Sequence, residues 1–330
     1  MSFSIIICTY NPKQEILERL LQAVLQFNSS SVTHEVIIVD NNSSPPLKEN
    51  EIVKQFLGQK REAILFIETK PGLTAARLAG IKRSKYDWII FFDDDNEPNS
   101  DYLQQASLAI SEYPQIAAWG PGVINVVYTS GGDKWLEAEK ELFQQRNHLQ
   151  SVFGFSKETA EYYPDGTGLV LSKGVALKYV EKVENLVYTL TDRKGNSLSS
   201  GGDLQMVLTA TNCGYGAGRC SGLKLTHNIN KQKTSLKYLI KMCFGVETCN
   251  YLAHSEACNW DTQKKNSFHY TRFIDLLRVI YNITFIQKIS YKSKILNLAR
   301  FTGQQSGIAL LKEEKHPSKL ITLITVLINR

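Results

Sequence analysis

Short uninterrupted apolar runs alternate with amphipathic stretches over the first hundred residues. Ser4-Ile5-Ile6-Ile7-Cys8, Val36-Ile37-Ile38-Val39, Ile64-Leu65-Phe66-Ile67 and Trp88-Ile89-Ile90-Phe91-Phe92 each have the length and continuity of a strand buried on both faces. Within 13–27, Ile16, Leu17, Leu20, Leu21, Val24 and Leu25 recur at helical spacing, with Lys13, Glu15, Glu18 and Arg19 on the other side. An alanine-rich helix is predicted from Thr74 to Lys82. Strands and helices alternating in this way predict βαβ units and a parallel sheet. Each run also ends in a polar cluster: Thr9-Tyr10-Asn11, Asp40 to Asn42, Lys70 to Gly72 with Arg77 beyond, and Asp93-Asp94-Asp95. Ligands of open α/β sheets bind outside the carboxyl ends of the strands, so these clusters should meet at one site.

Further along, 100–112 reads as a helix, 116–119 and 123–128 as strands, and Asp133 to Leu149 as another helix. Pro164-Asp165-Gly166-Thr167-Gly168 precedes a strand at Leu169–Ser172, and the polar stretch 182–200 reads as a loop. A helix from Leu204 to Thr211 follows Gly201-Gly202-Asp203, and a last strand at Leu223–Thr226 leads to His227. Helical patterns then cover 236–252, 270–286, 291–301 and 320–328. Trp119-Gly120-Pro121-Gly122 suits either a sugar-stacking aromatic or a core tryptophan at a turn.

The chain has 330 residues, 43% apolar and 21% charged, which is ordinary for a globular protein with room for a large core. Charge changes the picture because it is lopsided. Residues 230–330 hold sixteen Lys/Arg against six Asp/Glu, whereas residues 1–229 are net negative. A basic, amphipathic C-terminal region suits an anionic membrane surface; the other reading is a helical cap with solvated charges. Nucleic acid is not the expected partner. The six cysteines form no C-x-x-C pair, the N-terminus opens on a strand, and no run of eighteen apolar residues occurs. The expectation is a cytoplasmic protein with reduced thiols, peripheral on the inner face of the plasma membrane.

Three adjacent carboxylates at a strand end call for a compensating cation, such as a hard divalent metal bound to phosphate oxygens; otherwise they form a solvated acidic turn before Pro98. Asp40 could accept hydrogen bonds from a base or ribose, Arg77 could stack on or bond a base or phosphate, and backbone N–H groups near Gly72 suit a phosphate. Neither G-x-G-x-x-G after the first strand nor G-x-x-x-x-G-K-[ST] occurs, which argues against Rossmann dinucleotide and P-loop readings. Asp203 at a helix start is placed either as a catalytic base or as an N-cap.

Ile5–Pro12 (IIICTYNP), Val36–Ser43 (VIIVDNNS), Gly72–Gly80 (GLTAARLAG) and Ile89–Asn96 (IIFFDDDN) together resemble the N-terminal motifs of the family 2 glycosyltransferases, in order and at the usual separations. The resemblance covers roughly 1–229. It implies an α/β GT-A fold: a Rossmann-like nucleotide-binding half (1–98) fused to an acceptor half (99–229), here followed by a basic helical region (230–330). It also implies inverting transfer of a sugar from a nucleotide diphosphate, with UDP favoured, to the hydroxyl of a saccharide or lipid-linked saccharide. The setting expected is the synthesis of surface polysaccharide or glycolipid. Carried over by motif, Thr9, Tyr10, Asn11, Asp40, Asn42, Gly72, Arg77, Asp93 and Asp94 would bind the nucleotide sugar. Asp93 and Asp95, with His227, would hold Mn²⁺ or Mg²⁺. Asp203 would be the general base, although the chain has Gly202 where the family usually has Glu. That departure keeps a non-catalytic sugar-nucleotide binder as one alternative. A sugar-phosphate nucleotidyltransferase is another, but Cys8 to Pro12 is not its Gly-rich phosphate loop. A receiver-like signalling module would need acids after the first strand, where Thr9 and Tyr10 stand.

Overall fold

The computed structural model describes residues 1–27, 32–158, 160–190, 192, 198, 200–258, 273–286, 289–311, 321, 324 and 326. Its first strand, β1 (Ser2–Thr9), is followed by α1 (Gln14–Leu25), β2 (Thr33–Asp40), α2 (Glu51–Gln59), β3 (Ala63–Ile67), α3 (Leu73–Arg83) and β4 (Trp88–Asp93). The four strands are parallel. β2 and β3 lie on one side of β1 and β4 on the other. Strand order therefore reverses between β1 and β4, which is where an open α/β sheet makes its ligand crevice.

The second half extends the same sheet through β5 (Asn96–Pro98), α4 (Tyr102–Glu112), β6 (Ile116–Tyr128), α5 (Lys134–Glu137), β7 (Arg146–Asn147), β8 (Val152–Gly154), β9 (Val170–Ser172), α6 (Lys173–Glu184), α7 (Gly202–Asn212) and β10 (Gly216–Ile229). The order is β3-β2-β1-β4-β9-β6-β10-β5, with β7 on β6 and β8 on β10. β9 runs antiparallel to both neighbours and so joins the nucleotide-type half to the rest. Alternate residues of the central strands feed two cores. Ile5, Ile7, Val36, Ile38, Ile90 and Phe92 pack under α1, α2 and α4. Ile6, Cys8, Ile37, Val39, Ile89 and Phe91 pack under α3, α6 and α7. Apolar material on both faces is why these strands read as continuous runs.

Several expectations are corrected. The two strands expected at 116–119 and 123–128 are one 13-residue strand, and the expected 223–226 strand is the end of a 14-residue one. The helix expected over 133–149 stops after α5. A 3-10 turn at Lys140–Phe143 follows, Gln144 takes φ 69°, and Arg146–Asn147 pairs with β6. α6, capped by Ser172, had no counterpart in the sequence reading. Trp119 is fully buried against Tyr113 and Phe153, at ring distances of 5.8 and 5.9 Å. It is a core residue, not a sugar platform.

The C-terminal region forms α8 (Leu236–Cys258), α9 (Phe273–Tyr281), a π-type turn at Asn282–Ile286 and α10 (Tyr291–Leu311). Leu239, Ile240 and Cys243 of α8 and Leu296 and Ala299 of α10 join the first core. α8 and α10 cross closely because Gly303 and Gly307 have no side chain. A Cβ there would lie 2.5 Å from the Phe244 carbonyl oxygen and 2.7 Å from that of Thr248. Lys292 adds a 3.5 Å contact to Asp133 and sits over the Trp135 ring. This part of the region is a packed helical cap. Ile283 tethers the next segment to Phe301 and Ile321, while Leu277, Tyr281 and Phe285 stay exposed. Among the described residues no helix is long and apolar enough to cross a membrane. Residues 270–272 and most of the helix expected at 320–328 lie outside the described residues.

Candidate active site

Register brings the strand-end clusters together: Thr9 lies beside Asp40, and Cys8 beside Asp93. A cavity of about 720 Å³ opens at this edge. Thr9, Tyr10, Asn11, Asn42, Gly72, Arg77, the three aspartates, Asp203, His227 and Lys233 all line it. Tyr10 is exposed at the mouth. Thr9 Oγ1 donates to Asp94 Oδ2 (2.6 Å), tying β1 to the acidic turn.

Three candidates are engaged differently from expectation. Asp40 is fully buried and lies outside the cavity lining. Its two carboxylate oxygens accept the Ser43 and Leu47 N–H groups, both at 2.9 Å, so it braces the turn after β2. The Gly72 N–H, expected to face a phosphate, donates to Asn41 Oδ1 (2.7 Å). The Asn41 amide in turn donates to the carbonyls of Glu68 and Lys70. Gly72 sits at φ 121° at the start of α3, a conformation that favours glycine. Asn11, at φ 48°, accepts from the Ser44 N–H and donates its own N–H to Ser43 Oγ, clamping the β1 and β2 ends.

The acidic turn is electrostatically uneven. Burial, and then the charge of Asp95, push the Asp94 carboxyl up to about 6. Burial also opposes ionisation of Asp95, but the Lys233 ammonium and His227 outweigh it and hold that carboxyl well below the usual range. Lys233, in the 3-10 turn Lys231–Thr234 after β10, donates to Asp95 Oδ2. His227 places Nδ1 2.9 Å from the Phe143 carbonyl oxygen. A carbonyl only accepts, so Nδ1 carries the proton. In the neutral ring Nε2 is then an acceptor, and it faces Asp95 Oδ1 across 3.4 Å. Two acceptors that close require a proton or a cation between or beside them. A metal-bound imidazole commonly donates its other nitrogen to a backbone carbonyl in just this way. Carboxylate oxygens with one imidazole suit Mn²⁺ or Mg²⁺, and the lysine ammonium already marks Asp95 as a cation position. Among the described residues no group of three His, Cys, Asp or Glu side chains is placed to hold a metal ion.

Asp203 lies in the first turn of α7, with Oδ2 accepting the Gly166 N–H (3.0 Å) and Oδ1 that of Leu204. It is not the N-cap. The N-cap is Gly201, which has no side chain to cap with; Asp192 Oδ1 instead accepts the N–H groups of Gly201 (2.8 Å) and Gly202 (2.9 Å). Asp192 Oδ2 accepts from Arg77 Nη1 at 3.2 Å. The other arm of Arg77 lies 4.0 Å from Asp93. Burial disfavours the charge on Arg77, but Asp192, Asp93 and Asp203 together hold its guanidinium above the ordinary value. A Cβ on Gly202 would fall 2.3 Å from Asp192 Oδ2, which explains the glycine at that place. Asp192, Lys233 and the α8 side chains Tyr238 and Met242, which also line the cavity, were not singled out from sequence. They come from an irregular segment, a turn and a distant helix, and no local spacing announces their convergence.

The sheet with its reversal point, and the cavity that gathers the acidic strand end and Asp203, define an α/β domain fused to a second half. Residues 4–161 match the family described as glycosyl transferase family 2. The glycosyltransferase AglE of Haloferax volcanii is 28% identical over 218 residues, spanning 64% of this chain and 62% of that protein. The amylovoran biosynthesis glycosyltransferase AmsB of Erwinia amylovora is 36% identical over 107 residues, 32% of this chain and 34% of AmsB. The chain thus spans less than two thirds of the length of these relatives. The crystal structure of Staphylococcus aureus TarS residues 1–349 aligns over 95% of this chain and 92% of its own, at 13% identity and a TM-score of 0.46.

Proposed function

We propose that the chain is an inverting, metal-dependent glycosyltransferase that moves a sugar from a nucleotide-diphosphate sugar, with uridine as the nucleoside, to an acceptor hydroxyl. The observation that supports it most is one cavity lined both by the acidic end of β4 and by Asp203. Asp93, Asp95 and His227 would hold Mn²⁺ or Mg²⁺, which would supply Lewis-acid stabilisation of the leaving diphosphate. Asp203, fixed by the Gly166 N–H, takes the proton of the acceptor hydroxyl as its oxygen attacks the anomeric carbon. The bond from that carbon to the diphosphate oxygen breaks, the electron pair leaves with the diphosphate, and configuration inverts. Thr9, Tyr10, Asn42 and the buried Arg77 supply the donor seat.

The acceptor in this reading is a saccharide or lipid-linked saccharide used for surface polysaccharide or glycolipid. The cavity wall of Leu142, Phe143, Tyr238 and Met242 supports an acceptor with an apolar portion. The positive C-terminal region and the exposed Leu277, Tyr281 and Phe285 support a peripheral place on an anionic membrane face. A thermal-shift screen of nucleotide sugars with and without Mn²⁺ tests the donor reading, because a ligand of the folded state raises the melting temperature by mass action. A metal-dependent rise with UDP or a UDP-sugar is expected. No rise with any nucleotide sugar would overturn the reading.

A further inference from the structure

Asp192 is a carboxylate of this site that the proposed reaction leaves without a task. It belongs to the segment between α6 and α7, yet it is 2% exposed. Its N–H and both carboxylate oxygens are committed. Its N–H donates to Thr74 Oγ1 of α3 at 3.0 Å. One carboxylate oxygen receives the two free N–H groups at the start of α7, and the other receives Arg77. Charge alone would have been met by Arg77, and capping alone by a Ser, Thr, Asp or Asn at position 201. A single buried carboxylate instead joins α3, which carries Arg77, to the start of α7, which carries Asp203. The space it occupies is kept by Gly202, where any side chain would meet it. On the far side, a Cβ on Gly166 would lie 2.8 Å from Arg77 Nη2 and 3.0 Å from Asp203 Oδ2. Asp192, Arg77, Gly166 and Asp203 are therefore in one packed row.

We infer that Asp192 is a positioning residue for the transfer, setting Arg77 against the acidic strand end with one oxygen and the first turn of the Asp203 helix with the other. This rests on the reading of Asp203 as the base. Arg77 is buried between Asp192 and Asp93 and cannot settle its direction through solvent; without Asp192 it would turn wholly toward Asp93. The start of α7 would lose its cap, and the Asp203–Gly166 hydrogen bond would lose its fixed base.

The test uses the full chain and three variants. Asp192→Asn removes the charge at constant shape. Asp192→Glu keeps the charge. Gly202→Ala pushes on the same carboxylate without altering it. Two readouts are taken: UDP affinity in the presence of Mn²⁺, and kcat and KM for nucleotide release from the donor found by the screen above. Asp192→Asn should weaken UDP binding through Arg77 by roughly tenfold and lower kcat by about 10²-fold, the scale of a mispositioned general base. Gly202→Ala should reproduce both defects more mildly. Combined with Asp192→Asn it should add little, since both act on one group. Asp192→Glu should restore part of kcat. UDP affinity and kcat within about twofold of the parent for folded Asp192→Asn would overturn the inference and leave Asp192 a helix cap. If that variant fails to fold, Gly202→Ala with unchanged kcat and affinity would overturn it equally. The two readings separate cleanly: if Asp203→Asn keeps full turnover while Asp192→Asn loses UDP affinity, the base assignment fails and the Arg77 half of the inference stands.

Discussion

The two most informative side chains in the cavity are Asp95 and Lys233, because they pose an exchange. Asp95→Asn should abolish the metal-dependent part of nucleotide binding; isothermal titration with UDP in Mn²⁺ and in chelator checks it, and equal metal dependence in parent and variant would remove Asp95 from the ligand set. Lys233→Gln should act in the opposite direction on the metal alone. The ammonium neutralises Asp95, so removing it leaves a buried charge in want of a partner, and Mn²⁺ should bind the nucleotide-free protein more tightly. Electron paramagnetic resonance of free Mn²⁺ reads this without any turnover. Asp203→Asn should keep UDP affinity and lose kcat by on the order of 10²–10⁴-fold; a near-normal rate would make Asp203 structural.

At the scale of elements, the α8–α10 crossing is the sharpest target. Gly303→Ala puts a methyl group against the Phe244 carbonyl oxygen, and backbone cannot yield as a flexible side chain does. Overpacking of this kind costs about 1–3 kcal/mol, so the melting temperature should fall by several degrees in a thermal scan. Elements were legible in the chain where one physical demand dominated. β1, β2 and β4 are buried on both faces, and their unbroken apolar runs show it. The first half of β10 was missed because Gly216-Ala217-Gly218-Arg219-Cys220 lacks branched residues. Its glycines are there for crowding: at Gly218 a Cβ would strike Phe153 and Trp119. The 133–149 helix was overread because Trp135, Leu136, Leu142 and Phe143 have near-helical spacing, while Gln144 breaks the run through its left-handed backbone. In the site, the strand-end residues could be anticipated from the crevice rule. Asp40 could not be assigned to its turn, since its partners are backbone N–H groups.

For the whole molecule, the uneven charge gives a prediction of its own. The chain should sediment with anionic liposomes at low salt and be released at high salt, because each well-placed Lys or Arg contributes about 1 kcal/mol that salt screens. Tyr281→Ser with Phe285→Ser, which removes the exposed ring pair stacked at 5.1 Å, should weaken sedimentation and leave UDP binding unchanged. Chain remaining in the supernatant at low salt would limit the C-terminal region to its packing role.

That packing role has a mechanical side. α8 has 23 residues and so runs about 34 Å as one rod. Near its start Tyr238 and Met242 face the cavity. Its middle is pinned at Gly303 and Gly307. Toward its far end Glu256 holds Thr189 and the amide of Gln205 on the Asp203 helix. A rod held at its centre works as a lever, so a tilt of α8 would move the cavity wall and the helix bearing the carboxylate together. A load on the C-terminal helices, such as contact with a surface, therefore has a rigid route to the site. Cutting the chain after residue 229 would sever that route as well as remove a wall.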